Sequence, residues 1–400
     1  GDMAAKISNL KSRLLPYSFN RGVEFDIPGT YQSKALERMA TILGMECVSN
    51  AQLVQFYVLY CIFEATNGMP NTFIFYDQIP GWITSSGWAS EALDVSVLNP
   101  CQGWYGITCD ADNKVTAIEL SNNRLTGNFP PEIVWLASDG SYSTGAGNLN
   151  RLDVTRNEYL SSQYGDTFWW WQYLGSNFGK SKCAVAVYTL LWKEILNSHD
   201  FHRTSIEYLL FQQTSWGGSL AKLPRNLIEF DCSYTLISGG LTNAVFTGLN
   251  RLKYVDVSGN FFNATVPKVL GILPELEYLY VSDAAIRGDL SYMKGGMYKI
   301  VEHWNDLNPL VTGSIPTAVG TLKTLQSLSL SQNGLIGTIP TELGLLPNLQ
   351  RLWLAGNSLK GRIPSELGGL ENLQVLHLEG NALRGSMPSE ICANYDGGIA

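Results

Sequence analysis

Leu325, Leu349 and Leu373 each open a near-copy of one phrase, LQSLSLSQNGLIGTIPTELGLLPN, LQRLWLAGNSLKGRIPSELGGLEN and LQVLHLEGNALRGSMPSEI, at a constant interval of 24 residues. Each copy is too short to bury its own apolar edge, so a fixed interval of this kind specifies coils stacked on coils rather than one folded-over core. Within a copy the L-x-L core alternates with period two, as a short strand with one buried face does. Leu328, Leu330, Leu352, Leu354, Leu376 and Leu378 are therefore expected to point inward. Asn333, Asn357 and Asn381 follow the strands, where an amide can satisfy backbone groups of the adjoining bend. Gly337, Gly361 and Gly385 permit a tight turn, and Pro340, Pro364 and Pro388, lacking an N–H, suit the return segment. Degenerate copies begin at Ile300, Leu276, Leu252, Leu227, Ile206, Leu149 and Val115, giving about ten units in all.

The pattern L-x-x-L-x-L-x-x-N-x-L-x-G-x-I-P resembles the plant-type leucine-rich repeat family, which is marked by the I-P after L-x-G. Upstream, NPCQGWYGITCD resembles that family's N-terminal capping motif, carried here by Cys101, Trp104, Gly106 and Cys109. The resemblance implies a Cys101–Cys109 disulfide, and the short loop between them is compatible with one. The order of S-K-A-L-E-R, E-A-T-N-G, a Trp-rich loop and the capping motif is similar to algal extracellular leucine-rich repeat proteins. Together these imply an α/β fold, a right-handed leucine-rich repeat solenoid with a helical N-terminal cap and an aromatic-rich insertion. The expected boundaries are a cap over 1–111, a solenoid over 112–391 and a tail over 392–400. A loop at 137–148 and an insertion at 158–205 interrupt the solenoid.

The cap is expected to hold two amphipathic helices, Gln32–Leu43 and Ala51–Ala65, because Leu36, Met39, Ala40 and Leu43, then Leu53, Phe56, Tyr57 and Tyr60, recur at helical spacing. Residues 1–30 carry few signals and are expected to wrap onto the first coil or stay loose. The insertion contains Phe168, Trp169, Trp170 and Trp171, then a segment of helical character from Lys182 to Asn197. Insertions in coil stacks emerge on one face and often carry binding, so the three tryptophans are either a contact surface or staples onto the flank.

A net charge of −8 and the lack of any basic run exclude a nucleic-acid partner. No apolar run reaches the ~18 to 20 residues needed to span a bilayer; the best is CAVAVYTLLW, Cys183–Trp192. No secretory leader is visible, although the opening Gly-Asp-Met also fits a processed start. Asn263-Ala264-Thr265 is the single N-glycosylation sequon and falls in a turn after a strand. With the capping cysteines it favours a secreted or cell-surface location. Seven cysteines leave at least one unpaired. Cys232 falls on an inward strand position, whereas the pairing of Cys47, Cys61, Cys183 and Cys392 is open.

Residues flanking the inward leucines should stand on the concave strand face, one coil about 4.8 Å from the next. One column reads Glu119, Asp153, Leu210, Asp231, Asp256, Tyr280, Trp304, Ser329, Trp353 and His377. Its neighbour reads Ala117, Arg151, Tyr208, Glu229, Tyr254, Tyr278, Glu302, Ser327, Arg351 and Val375, with Asp283 and Asp306 one step along. Rigid aromatics beside carboxylates have the composition of a recognition patch. Trp304 and Trp353, two coils or about 10 Å apart across Ser329, would leave a gap for a sugar ring or an extended peptide; the competing expectation is a ladder in which the aromatics cover one another.

No catalytic constellation, metal site or cofactor is expected. His199 and His202 lack further ligands nearby, His303 replaces a strand leucine in the core, and an open sheet offers Asp231 and Asp256 no reason for a raised pKa. The expected function is therefore non-enzymatic recognition of a peptide, protein or glycan, as in a receptor ectodomain. A structural or adhesion component of a cell wall, and a wall-polysaccharide hydrolase or its inhibitor, are the alternatives.

Overall fold

The structure is a computed structural model that describes residues 3–18, 22–66, 88, 94–96, 98–123, 125–136, 147–157, 159–161, 206–213, 217–220, 222–293 and 296–393. Most of the 137–148 loop and of the 158–205 insertion, including Trp169, Trp170, Trp171 and Cys183, lies outside those residues. The chain divides into two compact units, Gly1–Gly217 and Gly218–Ala400. No helix among the described residues is long and apolar enough to cross a membrane.

The first unit opens with three helices: α1 (Met3–Leu14), α2 (Tyr31–Thr41) and α3 (Asn50–Thr66). Helix α1 is a regular element where the sequence carries few signals, so this segment does not stay loose. Leu10 and Leu14 are fully buried, and the Arg13 guanidinium donates to the Glu46 and Val48 carbonyls at 2.8 and 2.5 Å. Thr30 caps α2 by accepting from Ser33 N at 3.1 Å. Helix α3, expected to be amphipathic, is instead buried on every side from Leu53 to Phe63. It is a central helix, so its apolar character is continuous rather than periodic. Its buried Gln55 donates to Asn113 O and accepts from Val115 N, both at 3.3 Å, which ties the helix to the first strands.

Strand β1 (Ile107–Cys109) runs antiparallel to β2 (Val115–Glu119), which pairs in parallel with β3 (Gly147–Asp153), and β3 with β4 (Tyr208–Leu210). The Cys101–Cys109 disulfide forms, with Cα atoms 5.5 Å apart. Trp104 of the same motif packs between Tyr60 and Trp88, at centroid distances of 5.4 and 5.1 Å. Gly106 is required there: its φ is 74°, and a Cβ would sit 2.2 Å from the Glu119 carbonyl. Cys47 and Cys61 are free.

The second unit is a parallel sheet of β5 (Glu229–Asp231), β6 (Tyr254–Asp256), β7 (Tyr278–Tyr280), β8 (Glu302–Trp304), β9 (Ser327–Ser329), β10 (Arg351–Trp353) and β11 (Val375–His377). Strands β2 to β11 correspond one for one to the ten copies read from the sequence. The pairing advances by one coil per strand, so each column from the sequence is a row of register partners. Leu328, Leu330, Leu352 and Leu354 are fully buried, as is the Cys232 thiol, whose pKa burial pushes up.

Each Asn after a strand clasps two coils. Asn357 donates to Leu330 O in the coil before, at 2.8 Å, and to Leu354 O in its own, at 3.0 Å, while its Oδ1 accepts from Leu335 N at 3.1 Å. Asn157, Asn260, Asn308, Asn333 and Asn381 repeat the pattern. Where Ala284 takes this place, Phe262 N donates to the Ala284 carbonyl instead, at 3.2 Å.

Short helical turns close the coils on the far side, and in those at Lys268–Ile272, Thr317–Thr321, Thr341–Leu345 and Ser365–Gly369 a glycine sets the approach to the next turn. A Cβ on Gly344 would stand 2.2 Å from the Glu366 carbonyl of the next turn. Gly344→Val is expected to destabilise the chain by roughly 1–3 kcal/mol or more through overpacking, whereas Gly248→Ala, in open space, tests only backbone conformation. Urea midpoints of the two variants compare the effects.

Candidate recognition face

The strand register sets Tyr254 beside Tyr278, and Asp256, Tyr280, Trp304, Ser329, Trp353 and His377 in one row across six strands. All stand on the side opposite the buried leucines. The aromatics form a continuous ladder, with centroids 5.5 Å apart for Tyr254–Tyr280, 5.2 Å for Tyr280–Trp304 and 6.2 Å for Trp304–Trp353. The last two contacts are edge-to-face, the geometry that the ring quadrupoles favour. Trp304 is the most open rung, at 37 % exposure.

The expected gap between Trp304 and Trp353 is closed. Ser329 is too small to hold the rings apart, so they tilt onto each other over it, and the ladder arrangement is what forms. Trp304 is steadied from the side as its Nε1–H donates to Ser327 Oγ at 3.1 Å.

Charge on this face is largely committed. Glu302 accepts from Tyr280 OH at 2.9 Å and from the Arg351 guanidinium at 2.8 Å, a link that skips the coil between because Ser327 leaves room. Arg351 also lies over the Trp353 ring, 6.0 Å from its centroid. Asp306 accepts from Ser329 Oγ and Ser331 N at 2.7 and 2.6 Å. His377 Nδ1 lies 3.3 Å from Glu379. Asp283 is exposed.

Two aspartates counted as ligand contacts have a structural task as well. Asp231 Oδ1 accepts from Ser233 N and Asp256 Oδ1 from Ser258 N, each at 2.9 Å, as Asp153 does from Thr155 N at 3.1 Å. The signal, Asp-x-Ser/Thr at the end of each strand, is present in the sequence and marks a side chain that closes its own bend. The expectation that an open sheet leaves pKa values unshifted is corrected here. Burial, chiefly, pushes the Asp256 and Asp306 carboxyls above the usual carboxylate range and the Tyr254 and Tyr280 hydroxyls above the usual phenol range. Glu229 and Asp256 are in no ion pair among the described residues. Tyr208 belongs to the first unit, where Arg151 lies over its ring at 5.2 Å and bonds Glu119 at 2.7 Å.

His303 is a core residue, as anticipated. It is fully buried, with Nδ1 3.0 Å from the Leu279 carbonyl and Nε2 2.7 Å from Tyr292 OH.

Parallel strands that advance one coil at a time, with an amide clasp after five of the seven strands of the second unit, form a leucine-rich repeat solenoid. Residues 316–383 match the family described as Leucine rich repeat. Half of the chain is 28% identical, over 201 residues, to 14% of the receptor-like protein kinase BRI1-like 3 of Arabidopsis thaliana. A 47-residue stretch, 12% of the chain, is 46% identical to 22% of Leucine-rich repeat protein 1 of Oryza sativa subsp. indica. The chain thus spans less than a quarter of the length of these curated relatives. Among solved structures, the ectodomain of the plant membrane receptor kinase GASSHO1/SCHENGEN3 from Arabidopsis thaliana, in complex with CASPARIAN STRIP INTEGRITY FACTOR 2, shares the fold. Its TM-score is 0.57 at 24% identity, over 76% of this chain and 31% of that one.

Proposed function

We propose that the chain is a non-enzymatic, extracellular recognition protein that holds an extended peptide along the strand face of its second unit. In this reading residues 1–111 cap the solenoid 112–391. The observation that carries it is the continuous ladder Tyr254–Tyr280–Trp304–Trp353, an apolar surface fixed before any partner arrives, so little side-chain entropy is lost on binding. Glu229 and Asp256 border one end of the ladder without a cationic partner on the described face, and complementarity calls for a lysine or arginine of the ligand there. An apolar ligand side chain would lie against Trp304. Asp231 and Asp256 are folded into their own turns, an arrangement suited to holding a bend rather than to moving a proton onto a leaving group.

Trp304→Ala is expected to weaken binding of a cognate basic peptide at least about 30-fold, the loss typical of an aromatic anchor. Because the ring also packs on Tyr280 and Trp353, stability should fall by about 1–3 kcal/mol, two aromatic contacts. Isothermal titration of peptides selected from the source organism's secretions, against both forms, measures the first effect. Unchanged affinity, or release of reducing sugar from wall glycans by the unmodified chain, would overturn the reading.

A further inference from the structure

The second unit also exposes apolar side chains away from the strand face. Leu236, Phe261 and Leu310 are 54 %, 59 % and 60 % exposed. Each follows the bend after its coil's main strand and directly precedes a buried residue, Ile237, Phe262 or Val311. Coils repeat about every 5 Å, so Leu236 and Leu310 flank Phe261 on the same edge within roughly 10 Å.

Two residues after Phe261 stands the sequon. Phe262 is buried, so Phe261 and Asn263 both face water, and Asn263 adopts a left-handed turn with φ 48°. The sequon's backbone is pinned, since Ala264 O accepts from Arg287 N of the next coil at 2.9 Å. Asn263 and Thr265 are exposed, and neither side chain is hydrogen-bonded among the described residues. Asparagine amide and threonine hydroxyl are thus both available to a modifying enzyme. The Cys101–Cys109 disulfide belongs to an oxidising compartment, the route on which such sequons are modified.

We propose that Asn263 carries an N-linked glycan whose first sugar rests its C–H face on the Phe261 ring and whose next residues cover Leu236 and Leu310. The donor is a lipid-diphosphate oligosaccharide. The Asn263 Nδ2–C1 bond forms as the bond from C1 to the diphosphate oxygen breaks, and the amide proton leaves with the lipid diphosphate. The ring stacks because sugar C–H groups are apolar and slightly positive while the aromatic face is negative. The glycan therefore occupies the edge of this unit and leaves the strand face open, and it stands independently of the recognition reading.

The test is secretion of the full chain from eukaryotic cells behind a cleavable leader, followed by mass spectrometry of the Asn263 peptide. Glycan mass removed by peptide N-glycosidase, with conversion of Asn263 to aspartate, is expected; an unmodified Asn263 in secreted, disulfide-bonded protein overturns the site. Phe261→Ala keeps the sequon and tests the stacking. Enzymatic deglycosylation should lower the Tm of the unsubstituted protein by roughly 2–4 °C and leave that of the variant unchanged. Equal shifts in both would overturn the contact while the mass measurement still decides the site.

Discussion

Asn357→Leu is expected to lower the unfolding free energy by at least about 3 kcal/mol, because three buried backbone groups each lose their partner at a cost of about 1–3 kcal/mol. Those groups are the Leu330 and Leu354 carbonyls and the Leu335 N–H. Leucine adds apolar volume but cannot donate or accept, so the extra burial does not compensate. Asn372→Leu is the control: its amide reaches Pro347 O at 2.7 Å from an exposed turn, where water can replace it. That variant should cost less than about 1 kcal/mol. Urea titration of both decides the matter, and equal midpoints would mean that the clasp contributes nothing.

Acid should destabilise the second unit through His303. The Leu279 carbonyl can only accept, so Nδ1 carries the ring proton and Nε2 accepts from Tyr292 OH. Asn305 Nδ2 already donates to that hydroxyl at 3.1 Å. A second ring proton would face a hydroxyl that must turn its own hydrogen away. Burial, slightly opposed by the Leu279 carbonyl, lowers the pKa from 6.5 to about 4. The folded value lies below the unfolded one, so the unfolded chain binds the extra proton. Stability is complete above about pH 6.5 and declines by about 3 kcal/mol as pH falls to about 4. Buried carboxyls such as Asp256 and Asp306, with raised values, act in the opposite sense. The informative quantity is therefore the difference between the unsubstituted chain and His303→Leu, which should lose this acid-dependent component. Parallel pH profiles for the two would refute the assignment.

The repeat interval, the inward leucines, the asparagine clasp and the columns of face residues could all be read from spacing, because a coil stack converts sequence position directly into spatial position. Trp304, Tyr280 and Arg351 were located on the face by that arithmetic alone. Spacing could not show how side chains settle across coils. The contact of Trp304 with Trp353 and the link from Glu302 to Arg351 both depend on serines small enough to be bridged, a property of neighbours rather than of the residues themselves. Helix α3 misled for a related reason. Periodicity reports a boundary between apolar and wet surroundings, and a helix enclosed on all sides has none.

The asparagine bonds also have a direction. Asn260, Asn308, Asn333, Asn357 and Asn381 each accept from an N–H, and donate to a carbonyl, in the coil that precedes them. Like roof tiles, every course is held down by the one laid after it. During synthesis the newest course waits for its successor, and a chain cut short anywhere in this array ends on a loose row, so fraying should begin at the carboxyl side of any break.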